Sequence, residues 1–163
     1  MKHISINRLL VMKDKTMKMK IMNTLKLVIS TLFLSISFLV FAGNSVTEEG
    51  AQVYILSPTD GAVVTNPVTV RFGLSGMGVA PAGVDRANTG HHHLLIDAET
   101  LPEMSHPIPS DKSHRHFGGG QTEVMLDLAP GKHRLQLLLG DYSHTPHNPP
   151  VLSKPVEITV KKY

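Results

Sequence analysis

The stretch "TGHHHLLID" (residues 89–97) sets three consecutive histidines at the start of an apolar run that an aspartate closes. Read as a β-strand, it alternates side chains between two faces. Asp97 belongs in water, which puts His91, His93 and Leu95 on its side and sends His92, Leu94 and Ile96 inward. The triplet is thereby divided, and two imidazoles at i and i+2 share one face, close enough to reach one ion.

Working outward, short β-branched or alternating runs recur between turn signals. "AQVYIL" (51–56) ends at a Ser-Pro-Thr-Asp-Gly turn, and "PVTVRFGL" (67–74) runs into the Gly/Pro-rich loop 75–90. "TEVMLDL" (122–128), "KHRLQLLLG" (132–140) and "KPVEITVKK" (154–162) follow, with Ala129-Pro130-Gly131 between the first two. Alternation points His133, Leu135, Leu137 and Leu139 to a core, with Arg134 and Gln136 opposite; Val124, Leu126 and Leu128 likewise oppose Met125 and Asp127. Past residue 42 no run carries a 3.6-residue period of helix length. Short strands punctuated by Pro and Gly predict an all-β domain, an antiparallel immunoglobulin-like β-sandwich, over residues 51–163.

The first 42 residues read differently. Seven Lys/Arg precede "LVISTLFLSISFLVFA" (27–42), after which the chain turns polar over 43–50, a linker by composition. A basic flank, an apolar core and small residues at Val40 and Ala42 predict a signal peptide cleaved before Gly43, with Met17 or Met22 as alternative starts. Sixteen such residues fall short of the roughly 20 that span a bilayer, so the membrane is reached only through this segment, if it is uncleaved. The expected location is periplasmic or secreted. The whole chain carries +3, but residues 43–163 hold 9 basic and 12 acidic side chains, a net −3 with neutral histidine. The basic balance belongs to the targeting segment, which removes the electrostatic ground for nucleic-acid binding. With no cysteine, neither a lipidated cysteine nor a disulfide is available.

Two long loops, 98–121 and 141–153, are rich in histidine. Loops of this length in a compact domain are commonly functional. They supply two more pairs, His114/His116 and His144/His147, to set beside His91/His93. Imidazole serves zinc, copper, nickel and iron, so six histidines from three segments could gather at one end of a sandwich around copper or zinc. Asp97, Asp111 and Asp141 are available as outer partners or oxygen ligands. The plainer alternative is a hydrogen-bond network bracing the loops. His133 reads as a core-edge residue, His106 as solvated, and His92 as a hydrogen-bonded cap on the core. Scattered Met77, Met104 and Met125 suit gap-filling as well as copper(I). "FGGGQ" (117–121) lacks the Lys-Ser/Thr of a phosphate loop, and neither HExxH nor GxSxG occurs.

From about Val53 to Val160 the chain resembles the bacterial family known as domain of unknown function 4399, through "GMGVAPAG" (76–83), "TGHHHLLID" (89–97), "HRHFGGGQTE" (114–123), "PGKHRLQLLLGD" (130–141) and "HTPHNPP" (144–150). The resemblance implies an exported envelope domain and leaves its chemistry open. A weaker likeness to cupins rests on His91-x-His93, Asp97 and the later Pro130-Gly131-Lys132-His133; an aspartate in place of glutamate, a shortened turn and the small domain depart from that pattern. The leading expectation is a divalent-metal site on His91, His93, His114, His116, His144 and His147. Its alternatives are a non-catalytic module for a glycan, a peptide or another envelope component, and a small metal-dependent enzyme using Asp97 or Asp141.

Overall fold

The computed structural model describes residues 12, 14–20, 22 and 45–162. The chain divides into two compact units, Met1–Ala42 and Gly43–Tyr163. In the first, residues 14–20 are helical, with Lys18 Nζ 2.9 Å from Asp14 Oδ2. Among the described residues no helix is long and apolar enough to cross a membrane. The apolar stretch 27–42 and the expected cleavage site before Gly43 lie outside the described residues.

The second unit is an all-β sandwich. One sheet joins β1 (Gln52–Ser57), β3 (Val68–Ser75) and β7 (Glu123–Leu126) in the order β1-β3-β7, antiparallel throughout. The other contains β2 (Ala62–Val64), β9 (Val156–Val160), β8 (Gly131–Gly140), β5 (Thr89–Ile96) and β4 (Gly78–Val79), in the order β2-β9-β8-β5-β4. A short β6 (His114–His116) pairs with β5 on the edge it shares with β4. Two short pairs depart from the antiparallel expectation. β2 runs parallel to β9 because the chain, bulged between Ile55 and Ser57, leaves the first sheet at the Asp60-Gly61 turn and joins the second. Asp60 Oδ1 accepts the Glu157 amide at 2.8 Å and fixes that crossing. The other parallel pair, β4 with β5, follows the loop 80–88 back to the start of β5.

The core lies between the sheets, with Val53, Val68, Val70, Phe72 and Leu126 from one packed on Leu94, Leu135, Leu137, Leu139, Ile158 and Val160 from the other. Alternation does the sorting: Arg71 and Met125 are exposed while Val70, Phe72 and Leu126 beside them are buried. Each fully buried aliphatic side chain contributes about 1.5–3 kcal/mol.

Sequence and structure part company at β5 and β8. His91, His93 and Leu95 occupy the face opposite the main core, as alternation requires, but that face is not in water. Loop residues cover it: Ile108 packs on Leu95 and Leu138, with Ala98, Met104 and Leu152 around them. The returning segment also bonds along β8 through Leu138 with Leu152 and Gly140 with Pro146. Both strands are therefore buried on two sides. Residues 45–47, polar by composition, are hydrogen-bonded to the same segment, with Thr47 N donating to Asn148 O (3.2 Å) and Asn148 N to Ser45 O (2.9 Å).

Candidate metal centre

The floor of the site comes from β5. His91 and His93 are both 0% exposed and project from one face of the strand. Their Nε2 atoms stand 3.1 Å apart. Two imidazole nitrogens on one tetrahedral zinc, each at about 2.0–2.1 Å, lie about 3.3–3.4 Å apart, so this pair already has a ligand-like bite. β6 supplies a third ring, because its antiparallel register sets His116 opposite His93. Ring centroids are 5.0 Å apart for both His91–His116 and His93–His116. One donor nitrogen from each of His91, His93 and His116 lies within 4.8 Å of the others.

A fourth ring enters from the loop after β8. His144 lies 4.7 Å from His116, 5.1 Å from His91 and 6.1 Å from His93 between ring centroids. Its φ of 71° is left-handed, a conformation that side chains other than glycine rarely adopt. Surrounding bonds hold it there: His144 N donates to Asp141 O, and Ile108 N to His144 O, both at 2.9 Å. The turn is organised by the buried Asp141 carboxylate. Oδ1 accepts Ser143 N (2.8 Å), Ser143 Oγ (2.7 Å) and Thr145 N (3.0 Å), while Oδ2 accepts Ser45 Oγ (2.8 Å). Burial pushes this carboxyl up, and its donors more than reverse that, holding it below the ordinary carboxylate range. Its negative charge lies close enough to His91 to favour a cation there.

Two glycines leave room for the rings. A Cβ on Gly140 would stand 2.9 Å from His93 Nε2, and one on Gly118 would stand 2.4 Å from His116 Cε1. Burial is the main force on the protonation of the floor. It pushes His91 down to about 4 and His93 down to about 3, and the neighbouring imidazoles reinforce it. His116 is lowered by the same causes. The floor rings are accordingly neutral at pH 7, which is the ligating form.

The six histidines of the sequence reading do not all meet. His114 stands two register positions along from His116, opposite Leu95, and its Nδ1 donates to Asp111 Oδ1 at 2.9 Å. His147 is buried on the other side of its loop, where Nε2 donates to the Thr89 carbonyl at 3.1 Å. It lies three positions after His144, beyond the left-handed turn that His144 occupies. Among the rest, His133 bridges Asp97 Oδ2 and the Ala129 carbonyl, both at 2.7 Å, away from the cluster. His106 is exposed beside Glu103. His92 does face the main core, 5.3 Å from the Phe72 ring; its polar contact is the Gln121 backbone, which makes no well-formed hydrogen bond with either ring nitrogen. Sequence reasoning overlooked the two glycines, whose signal was their place beside histidine strands, at Gly118 after "HRHF" and Gly140 at the end of "LQLLLG".

No curated protein and no solved structure matches the chain. A family model does match, over residues 70–161, which is more than half of the chain and takes in β5, β6, β8 and every histidine of the cluster while leaving out β1 and β2. The chain belongs to that family, described as a domain of unknown function, DUF4399.

Proposed function

We propose that residues 43–163 act as an exported domain that holds one divalent transition-metal ion, copper or zinc, on His91, His93, His116 and His144, for carriage or buffering in the periplasm or outside the cell. The observation that carries this reading is the convergence of buried, neutral imidazoles: one ring nitrogen from each of His91, His93 and His116 lies within 4.8 Å of the others, and the Nε2 atoms of the first two meet at 3.1 Å. His91 Nδ1, His93 Nδ1 and His116 Nε2 are buried with no hydrogen-bond partner. A bracing network would use those atoms, since each unpaired buried polar group costs about 1–3 kcal/mol. A bound ion on the converging nitrogens instead offsets the cost of gathering the rings.

The chemistry of the donor set suits the expected compartment. Imidazole binds copper and zinc without the oxidation that threatens a thiolate outside the cytosol. Access is from one side, because His116 and His144 are half-buried above a sealed floor. An ion would exchange through that mouth.

The test is elemental analysis and calorimetric titration of the untagged protein with copper(II) and with zinc(II). Stoichiometric sub-micromolar binding that disappears in His93→Ala supports the reading. Binding no tighter than that of a histidine-containing control peptide removes it.

A further inference from the structure

Ser45 lies far from the histidines in sequence, yet it reaches the turn that presents one of them. Its hydroxyl donates to Asp141 Oδ2 at 2.8 Å, the one oxygen of that carboxylate not already committed to the turn. Asp141 Oδ1 meanwhile takes the amides two and four residues ahead, an Asx-type turn that bends the chain around His144. The same stretch grips the far side of the loop. Val46 bridges Asn148 in parallel, Asn148 N donates to Ser45 O, Thr47 N donates to Asn148 O, and Thr47 Oγ1 donates to the Pro149 carbonyl. Residues 45–47 thus hold the loop on both sides of His144, at Asp141 before it and at Asn148 and Pro149 after it.

The arrangement matters because His144 is the ring least fixed by the sheet. His91, His93 and His116 sit on paired strands, whereas His144 depends on a turn with φ of 71°. Without the Ser45 hydroxyl, a buried carboxylate oxygen loses its donor, and a left-handed residue loses part of what holds it in that conformation. We infer that Ser45 is a positioning residue for the histidine site: through Asp141 it sets the turn that aims His144 at His91 and His116, so that the segment ahead of β1 completes the centre. For ion affinity this rests on the metal reading above; for ring placement it does not.

The experiment compares untagged full-length protein with its Ser45→Ala and Ser45→Thr variants. Long-range nitrogen–proton NMR of the metal-free protein reads the His144 ring, and zinc(II) titration reads affinity. Ser45→Ala is expected to move the His144 signals and to weaken zinc(II) about tenfold, at the low end of the 10–100-fold typical of outer-shell partners. Ser45→Thr, which keeps the hydroxyl, restores both. Unchanged His144 signals in Ser45→Ala overturn the inference, as does a loss of thermal stability with His144 and affinity unaltered. Should the wild type bind no zinc(II) while the His144 signals still shift and recover, the metal reading fails and the positioning role stands.

Discussion

His93 and His116 face each other directly across the β5–β6 pair, with ring centroids 5.0 Å apart. This juxtaposition makes β6, only three residues long, part of the site and not merely an edge to the sheet. His116→Ala is therefore expected to weaken copper(II) or zinc(II) by more than about a hundredfold, beyond what outer-shell changes cause. Arg115→Ala, whose side chain is on the exposed face of the same strand, leaves affinity within about twofold. Calorimetry on both variants measures the contrast.

Gly118→Ala separates site from fold. The new methyl would fall 2.4 Å from His116 Cε1 and 2.6 Å from Nε2, so the partly exposed ring must swing away. A loss of metal affinity of about tenfold or more is expected, with thermal stability close to wild type, since His116 has room to move toward solvent. Gly140→Ala meets the buried His93 ring instead and should cost about 1–3 kcal/mol in denaturant unfolding, the ordinary range for overpacking.

His92 offers the reverse experiment. It is fully buried against the Phe72 ring, and its polar contact, the Gln121 backbone, makes no well-formed hydrogen bond with either ring nitrogen. Replacing an unsatisfied polar group with an apolar one of similar size relieves its desolvation, so His92→Leu should raise unfolding free energy by about 1–3 kcal/mol and leave metal affinity intact. Lower stability in urea unfolding would show that the imidazole is satisfied in solution.

Acid should unfold the metal-free domain earlier than its carboxylates alone would require. In the unfolded chain His91, His92 and His93 take up protons near 6.5, whereas burial holds the folded rings down to about 4, 4 and 3. Between those limits the unfolded state binds more protons, so stability falls as pH drops from 6.5 toward 4. His133 has the opposite sign. Burial pushes it down, the Ala129 carbonyl and the Asp97 carboxylate more than reverse that, and its stabilisation is full below 6.5 and lost as pH rises through its raised value. Urea midpoints from pH 7.5 to 4 check the balance, four lowered rings, His116 included, against one raised. A metal held by the floor pair likewise meets proton competition nearer pH 4 than the 6.5 of an ordinary histidine.

Much of this was legible in the residues. Period-two alternation in "HHHLLID" divides the triplet correctly, and the leucines of β8 point where the pattern sends them. Alternation says which side chains share a face, however, and nothing about what lies over that face. The cover of Ile108, Met104 and Leu152 was visible only as isolated apolar residues inside polar loops, and Leu138, out of phase with its neighbours, hinted at a second buried side. The partition of the loop pairs was harder to see. His114 and His116 share a strand face, and only Asp111 and the register with Leu95 draw the first away. The place of His144 depends on a turn conformation reached through Asp141 and Ser45, contacts between residues 96 positions apart.

The cluster draws its rings from three stretches of chain, at 91–93, at 116 and at 144. In a protein without a single cysteine, an ion held there is the cross-link that no disulfide can provide. Such a tie is indifferent to reductant and yields to chelator or acid. Its contribution also scales with supply: at a free concentration one hundred times its Kd, a bound ion adds about 2.7 kcal/mol to the folded state. The folded fraction of the domain would then serve as a gauge of the metal in its surroundings.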